Sequence, residues 1–321
     1  MSAQRLIVNL NQQAKFNQEI PQIVSHQLNK TVKTNYLQDF DRWLVDYLTK
    51  DEQQLGLQNS LCYDALRYHF STGGRYVRAR LCYEASLSLN LNYSDATIIS
   101  AACELLHNAS LIHDDIQDGD YERRGVQTVW KKFGKNIALC TGDLMIAAAF
   151  GVLAQFSKLH ILPRIMTTLI ERTSQTIHGQ CADLNFHTGE VVDVETYKQI
   201  VIAKSGALLS LPLELAMVAS GYEFAQADAK LAAESLAIAY QILDDLTDID
   251  KDTDTLGNPK ALNIYFVLKA NIHTEFLMTK AKLIALESLN LSMLYANQLP
   301  KNSGEALIDL ANSLKQTLTK I

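Results

Sequence analysis

From Tyr36 to Leu48 the residues Leu37, Phe40, Trp43, Leu44 and Tyr47 recur at three- and four-residue steps, which predicts an amphipathic helix with one face on a core. Residues 91 to 118 predict a long central helix, and residues 164 to 186 a further one carrying Gln180 and Asp183 a turn apart. Residues 136 to 157, NIALCTGDLMIAAAFGVLAQFS, are apolar on most faces and predict a buried helix. The run SLAIAYQIL leads into a second acidic stretch, and residues 262 to 321 predict two or three amphipathic helices with a loop at Leu299 to Gly304. Only 5 prolines and 14 glycines interrupt the chain, so long helices are favoured. Residues 1 to 34 are polar, rich in Gln and Asn, and carry no motif.

Composition changes this picture little. The 321 residues would allow two domains by length, but no compositional break supports a split, so one domain is expected over 35–321. Hydrophobic residues at 48% and charged residues at 20% are ordinary for a globular protein with a large core. A net charge of -6 with no basic block argues against a nucleic-acid partner. Cys62, Cys82, Cys103, Cys140 and Cys181 are scattered and odd in number, which reads as free thiols in a reducing compartment. The first residues show no signal-peptide pattern, and no uncharged apolar run reaches bilayer length. A cytoplasmic protein without a transmembrane segment is expected.

The chemistry concentrates at Leu105 to Gly125, where Asp114, Asp115 and Asp118 end an apolar helical run and Arg123 and Arg124 follow. At positions i, i+1 and i+4 the three carboxylates are expected to converge and to need cations, Mg2+ above all. One such run is often only a solvated helix end. A second, Asp244, Asp245 and Asp248, repeats the spacing 130 residues later, so neither is a local accident. Upstream, Gly73-Gly74 breaks a helix and places Arg75 and Arg78 near the next helix start, an arrangement suited to an anion. Lys204 lies in an apolar helix and needs an anion to meet, either a core carboxylate or a ligand. Glu104 and His107 form an E-x-x-H pair as in di-iron bundles, but no second pair exists to complete one.

Together these residues resemble the trans-isoprenyl diphosphate synthases, the polyprenyl synthetase family. The resemblance runs from about residue 60 to 260 and adds Ser110 to His113, Gly142-Asp143, Gly179-Gln180, Asp183 and Lys204 to Ala207 to the two aspartate motifs and Arg123-Arg124-Gly125. It implies an all-α, single-domain helical bundle around a deep central cavity, and a homodimer. It implies three Mg2+ ions, or Mn2+, held by Asp114, Asp115, Asp118, Asp244, Asp245 and Asp248. Arg75, Arg78, His107 and Arg124 are implied for isopentenyl diphosphate, Arg123, Lys204 and Ser205 for the allylic diphosphate, and Gln241 as a further substrate-binding residue. Asp114, Asp115, Asp118, Asp244 and Lys204 are implied as catalytic. The chain departs from the family pattern where Arg75 replaces a Lys, Tyr76 an Arg and Ala79 a Pro. Asn258 stands where another Lys is usual, with Lys251 or Lys260 as replacements for its charge.

The implied reaction is 1'-4 head-to-tail condensation of the two diphosphates. Product length then depends on the depth of the tunnel above Asp114, where Ala109 and Ser110 are small and Leu105 and Leu106 form the next turn. That predicts a product of C20 or longer. The rival readings are a terpene cyclase of the same fold and a non-catalytic partner subunit of a prenyl synthase.

Overall fold

A computed structural model describes residues 30–50, 60–185, 192–253, 259–271 and 276–320, with side chains from residue 39 onward. The described residues are helical apart from one two-stranded hairpin and an isolated bridge between Thr253 and Pro259. They group into two compact units, the first drawn from the described residues up to 79 and from 92–157, the second from 80–91 and the described residues from 158 on.

In the first unit α1 (Lys30–Thr49) starts six residues before the expected Tyr36, so the polar segment thought to run to residue 34 already carries helix at its end. Phe40, Trp43, Leu44 and Tyr47 are its buried face, as their spacing predicts. After α2 (Leu61–Ser71), the chain passes Gly73 at φ +75° into α3 (Val77–Ser88), whose first turn belongs to this unit. The central helix α4 (Tyr93–Asp118) is set at both ends by its sequence. Asn92 accepts the Asp95 amide at 2.9 Å as N-cap, and Gly119 closes the C-terminus at φ +71°. The strands Glu122–Arg123 and Val126–Gln127 follow, then α5 (Val129–Phe133) and α6 (Lys135–Val152). Helices α4 and α6 approach closely at Gly142, where any side chain would meet the ring of His113.

The expected burial of α6 is only partly realised. Leu139 is 50% exposed, and Cys140, Asp143, Ala147 and Gly151 continue the exposed face. The stretch Lys135–Gln155, with a mean hydropathy of 2.0, is long and apolar enough to cross a membrane, as is Val194–Ser220 in the second unit. Residues 135–155 escape a search for uncharged runs because Lys135 and Asp143 interrupt them. The second of the two stretches is mostly covered by protein and serves as core; the first is not.

In the second unit α7 (Leu162–Leu184) starts with Pro163 in its first turn. Next come α8 (Val194–Val201), a single π turn (Ile202–Gly206), α9 (Ala207–Ser220) and α10 (Gln226–Thr247). The C-terminal part gives three helices, α11 (Ile264–Asn271), α12 (Leu277–Gln298) and α13 (Glu305–Leu318). Almost every residue of α9 is buried, and α10 packs on it. A groove of about 680 Å³ lies along α7 and α8, lined by Ile170, Gln175, His178, Gln199 and Ile200.

Candidate active site

The two aspartate motifs occupy the same place on two different helices. Asp114, Asp115 and Asp118 form the last turn of α4; Asp244 and Asp245 lie in the last turn of α10, and Asp248 caps it. A helix C-terminus carries the negative end of the backbone dipole, so carboxylates there are disfavoured and cations are favoured. Neither helix has a basic residue in that turn.

The three carboxylates of each motif do not act as an equal set. Successive helical residues are turned about 100° apart, and this rotation sends the middle aspartate inward. Asp115 is 2% exposed and accepts Arg123 Nε at 2.8 Å and Nη2 at 2.7 Å on one oxygen. Burial raises its pKa, and the Arg123 bonds oppose that rise. Asp245 is also buried and accepts from the Tyr197 hydroxyl, the Ile264 amide and Gln241 Nε2 at 2.7 to 2.8 Å. Burial lifts its pKa to about 6 against those three donors. Gln241, expected at the substrate, therefore braces Asp245. Asp114 and Asp248 are half-exposed, and Asp118 and Asp244 exposed. Among the described residues no three His, Cys, Asp or Glu side chains are gathered around one ion position.

In the first unit the basic residues come from two strained turns. Tyr76, at φ +47°, sits between the glycine pair and α3, with its hydroxyl on Asp41 and its ring edge-on to Phe40. Arg75 is exposed and Arg78 half-buried. Arg124 and Gly125 are the two loop residues of the hairpin, at φ +57° and +79°. Positive φ at both central residues is what a type I′ turn requires, which accounts for the glycine. The turn swings the Arg124 guanidinium over Gly74, where an added Cβ would lie 3.5 Å from Nη1.

Behind these arginines lies a polar cluster that motif reading missed. Glu104, 4% exposed, accepts the Ala79 amide at 3.1 Å and Asn108 Nδ2 at 3.1 Å. Asn108 Oδ1 accepts His69 Nε2 at 2.8 Å. Burial, reinforced by the charges of Arg78 and Arg124, holds His107 well below the usual imidazole pKa, so its ring is neutral. The i,i+4 spacing of Glu104 and Asn108 was visible in the sequence, but His69 lies 39 residues away on another helix. Of the chain-length residues, Leu105, Leu106 and Ala109 are buried, and Ser110 is half-exposed with its hydroxyl on the His107 carbonyl.

In the second unit Lys204 and Ser205 lie on the π turn, not on an α-helix. Such turns occur chiefly at functional sites. Lys204 Nζ meets Asp183 at 2.5 Å, the carboxylate partner that its burial required. Gly179 makes the contact between α7 and this turn: an added Cβ would fall well under 3.0 Å from the Lys204 backbone nitrogen. Asn258 lies outside the described residues; Lys251 pairs with Asp248 at 3.7 Å, and Lys260 is exposed. All five cysteines are free, with Cys140 and Cys181 exposed.

Known proteins place the chain in a family. The chain is 29% identical over 231 residues to a short chain isoprenyl diphosphate synthase of Methanocaldococcus jannaschii, covering 72% of this chain and 68% of that one. It is 31% identical over 229 residues to a farnesyl diphosphate synthase of Buchnera aphidicola, covering 67% and 77%. With a geranylgeranyl diphosphate synthase of Mycobacterium tuberculosis it shares 33% over 189 residues, covering 59% and 54%. In fold it is similar to the geranylgeranyl pyrophosphate synthetases of Pyrococcus horikoshii and Geoglobus acetivorans, with TM-scores of 0.75 and 0.73. Those alignments cover 86% and 87% of this chain and 94% and 99% of the solved ones, at 22% and 24% identity. The polyprenyl synthetase profile matches residues 59–263, and the chain belongs to that family and is a prenyltransferase of the isoprenyl diphosphate synthase kind.

Proposed function

We propose that this chain condenses an allylic diphosphate with isopentenyl diphosphate, 1'-4 and head-to-tail, releasing diphosphate and yielding a product of C20 or longer. The observation that carries this reading is the pair of aspartate motifs, each piled on the negative end of a helix with no basic residue in the turn. Bound cations would offset the repulsion among these carboxylates and their unfavourable place on the helix dipole.

The donors fit Mg2+. They are all hard carboxylate oxygens, and each motif directs two of them outward, Asp114 with Asp118 and Asp244 with Asp248. Mg2+ is commonly held by one or two carboxylates and completed by substrate phosphate oxygens. We assign these four as ligands, with Asp115 and Asp245 as the anchors that fix them, for three Mg2+ ions or Mn2+ in their place. When bound, the ions neutralise the charge that develops on the leaving diphosphate.

The remaining steps belong to side chains. Lys204, Ser205 and Arg123 hold the allylic diphosphate and donate to its oxygens as the C–O bond breaks. Arg75, Arg78, Arg124 and neutral His107 hold isopentenyl diphosphate so that its terminal carbon bonds to the allylic C1. The proton lost from the isopentenyl C2 passes to the departing diphosphate. Product length follows from the turns above Asp114, where Ser110 is small and half-exposed and Ala109 sits in the core. The geranylgeranyl synthases among the relatives support the same length. A homodimer through the exposed apolar face of α6 is part of the proposal.

Purified protein with Mg2+, an allylic diphosphate and labelled isopentenyl diphosphate tests the reading. Release of diphosphate with label in a C20 or longer hydrocarbon is expected, and chromatography of the dephosphorylated products reads the length. A terpene cyclase would incorporate no label, and a non-catalytic subunit would release no diphosphate.

A further inference from the structure

The buried cluster behind the arginines is a chain of hydrogen bonds that ends on one carboxylate. His69 Nε2 donates to Asn108 Oδ1, and the Asn108 amide donates to the Glu104 backbone carbonyl at 2.8 Å and to Glu104 Oε1 at 3.1 Å. The remaining oxygen, Oε2, accepts the amide of Ala79, one residue beyond Arg78 in the first turn of α3. Burying a carboxylate this deeply costs more than a helix cap returns, and an apolar side chain would fill the space at less cost. What the cluster supplies is a fixed position. It ties α2, α4 and the start of α3 together where the chain leaves the glycine turn, and it places among Arg78 and Arg124 a carboxyl group whose pKa burial raises and those two charges lower.

We infer that His69, Asn108 and Glu104 are positioning residues for isopentenyl diphosphate, holding Arg78 and the first turn of α3 in register with Arg124. The inference rests on the assignment of those arginines to that substrate. None of the three residues touches substrate; each acts through the next. A displacement of about 1 Å at a phosphate-holding arginine is enough to cost on the order of 100-fold. The consequence is selective: the allylic diphosphate, held elsewhere, should not register the change.

The test uses the full-length protein and the variants His69→Leu, Asn108→Leu and His69→Gln, the last of which keeps a donor toward Asn108. Two readouts are taken: KM for each substrate with Mg2+ present, and calorimetric binding of isopentenyl diphosphate to metal-free protein, which needs no turnover. The two leucine variants are expected to raise KM and weaken binding for isopentenyl diphosphate about 10-fold or more, with the allylic KM within about 2-fold of the parent. His69→Gln should recover most of that loss. If a leucine variant fails to fold, Glu104→Gln, which keeps the shape and removes the charge, takes its place. Equal changes in both KM values, or none, overturn the inference while leaving the proposed function standing. A parent protein that binds the allylic diphosphate but no isopentenyl diphosphate overturns both.

Discussion

The imidazole of His69 is held at a pKa of about 4, chiefly because burial disfavours its charged form; the Asn108 bond opposes this, and the charges of Arg124 and Arg123 add to it. An unfolded histidine titrates near 6.5. The folded state therefore resists a proton that the unfolded state accepts, so the stability due to this group is complete above pH 6.5 and is lost as pH falls toward 4. The loss is on the order of 3 kcal/mol over that window. Denaturant melts at pH 7 and pH 4.5 on parent and His69→Gln should show a steeper decline in the parent. A second prediction at this scale concerns Lys204, which bridges to Asp183 and is assigned to the allylic diphosphate. Lys204→Met should cut kcat/KM for the allylic substrate by about 100-fold or more, with a much smaller effect on the melting temperature, because the pair is partly solvated. Diphosphate release read beside a thermal melt separates the two effects. Residues of this kind were legible where their role depends on local spacing. Asp114 and Asp118 stand one turn apart on one helix, and a lysine in an apolar run announces a need for a counter-charge. His69 and Tyr197 were not legible, because their partners are brought in from other helices and nothing adjacent in the chain marks them.

Among the elements, the contact between α7 and the π turn decides where Lys204 points. It depends on Gly179 having no side chain, since a Cβ there would press on backbone that cannot rotate away. Gly142 has the same need on paper, but its obstacle is the far edge of the His113 ring, which can swing aside. Gly179→Ala should therefore lower unfolding free energy by about 1–3 kcal/mol and impair activity through Lys204, whereas Gly142→Ala should cost less. Paired melts and diphosphate-release rates check the contrast. Most helices were legible in the sequence, since α4 and α7 fall within a few residues of their expected spans and the C-terminal part gives three helices where two or three were expected. The π turn was not, because one extra residue in a helical turn leaves an apolar stretch such as Val201 to Leu209 looking unbroken. The middle aspartates were misplaced for a related reason: spacing places a Cβ on the helix surface, but the neighbouring elements decide which way the carboxylate turns. Arg123 claims Asp115, and Tyr197 with Ile264 claims Asp245.

At the level of the whole molecule, family membership was legible because two aspartate motifs and an RRG turn in fixed order are improbable together, whereas the grouping into two compact units leaves no mark on composition. Product length is set at this scale. Ser110 is half-exposed and Ala109 is buried, so Ser110→Phe should shorten the product by one five-carbon unit with little loss of stability, and Ala109→Phe should overpack the core instead, at about 1–3 kcal/mol. Chromatography of the dephosphorylated products and a melt distinguish them.

The apolar face of α6 raises a separate question at the same scale. A helix with a mean hydropathy of 2.0 that leaves Leu139, Cys140 and Ala147 exposed around a single acidic residue, Asp143, presents more apolar surface than a solvated helix needs, which suits it to cover by another chain. The proposed homodimer covers it. Leu139→Glu with Ala147→Glu would place two charges in that interface, where they could be neither solvated nor paired, yet in the isolated chain both positions already face solvent. The parent should therefore sediment near 72 kDa, twice the 35.8 kDa chain, and the double variant near one chain mass, with its helical content retained. A parent that sediments as a single chain, or a double variant that remains paired, would show that this face is covered by something other than a second copy.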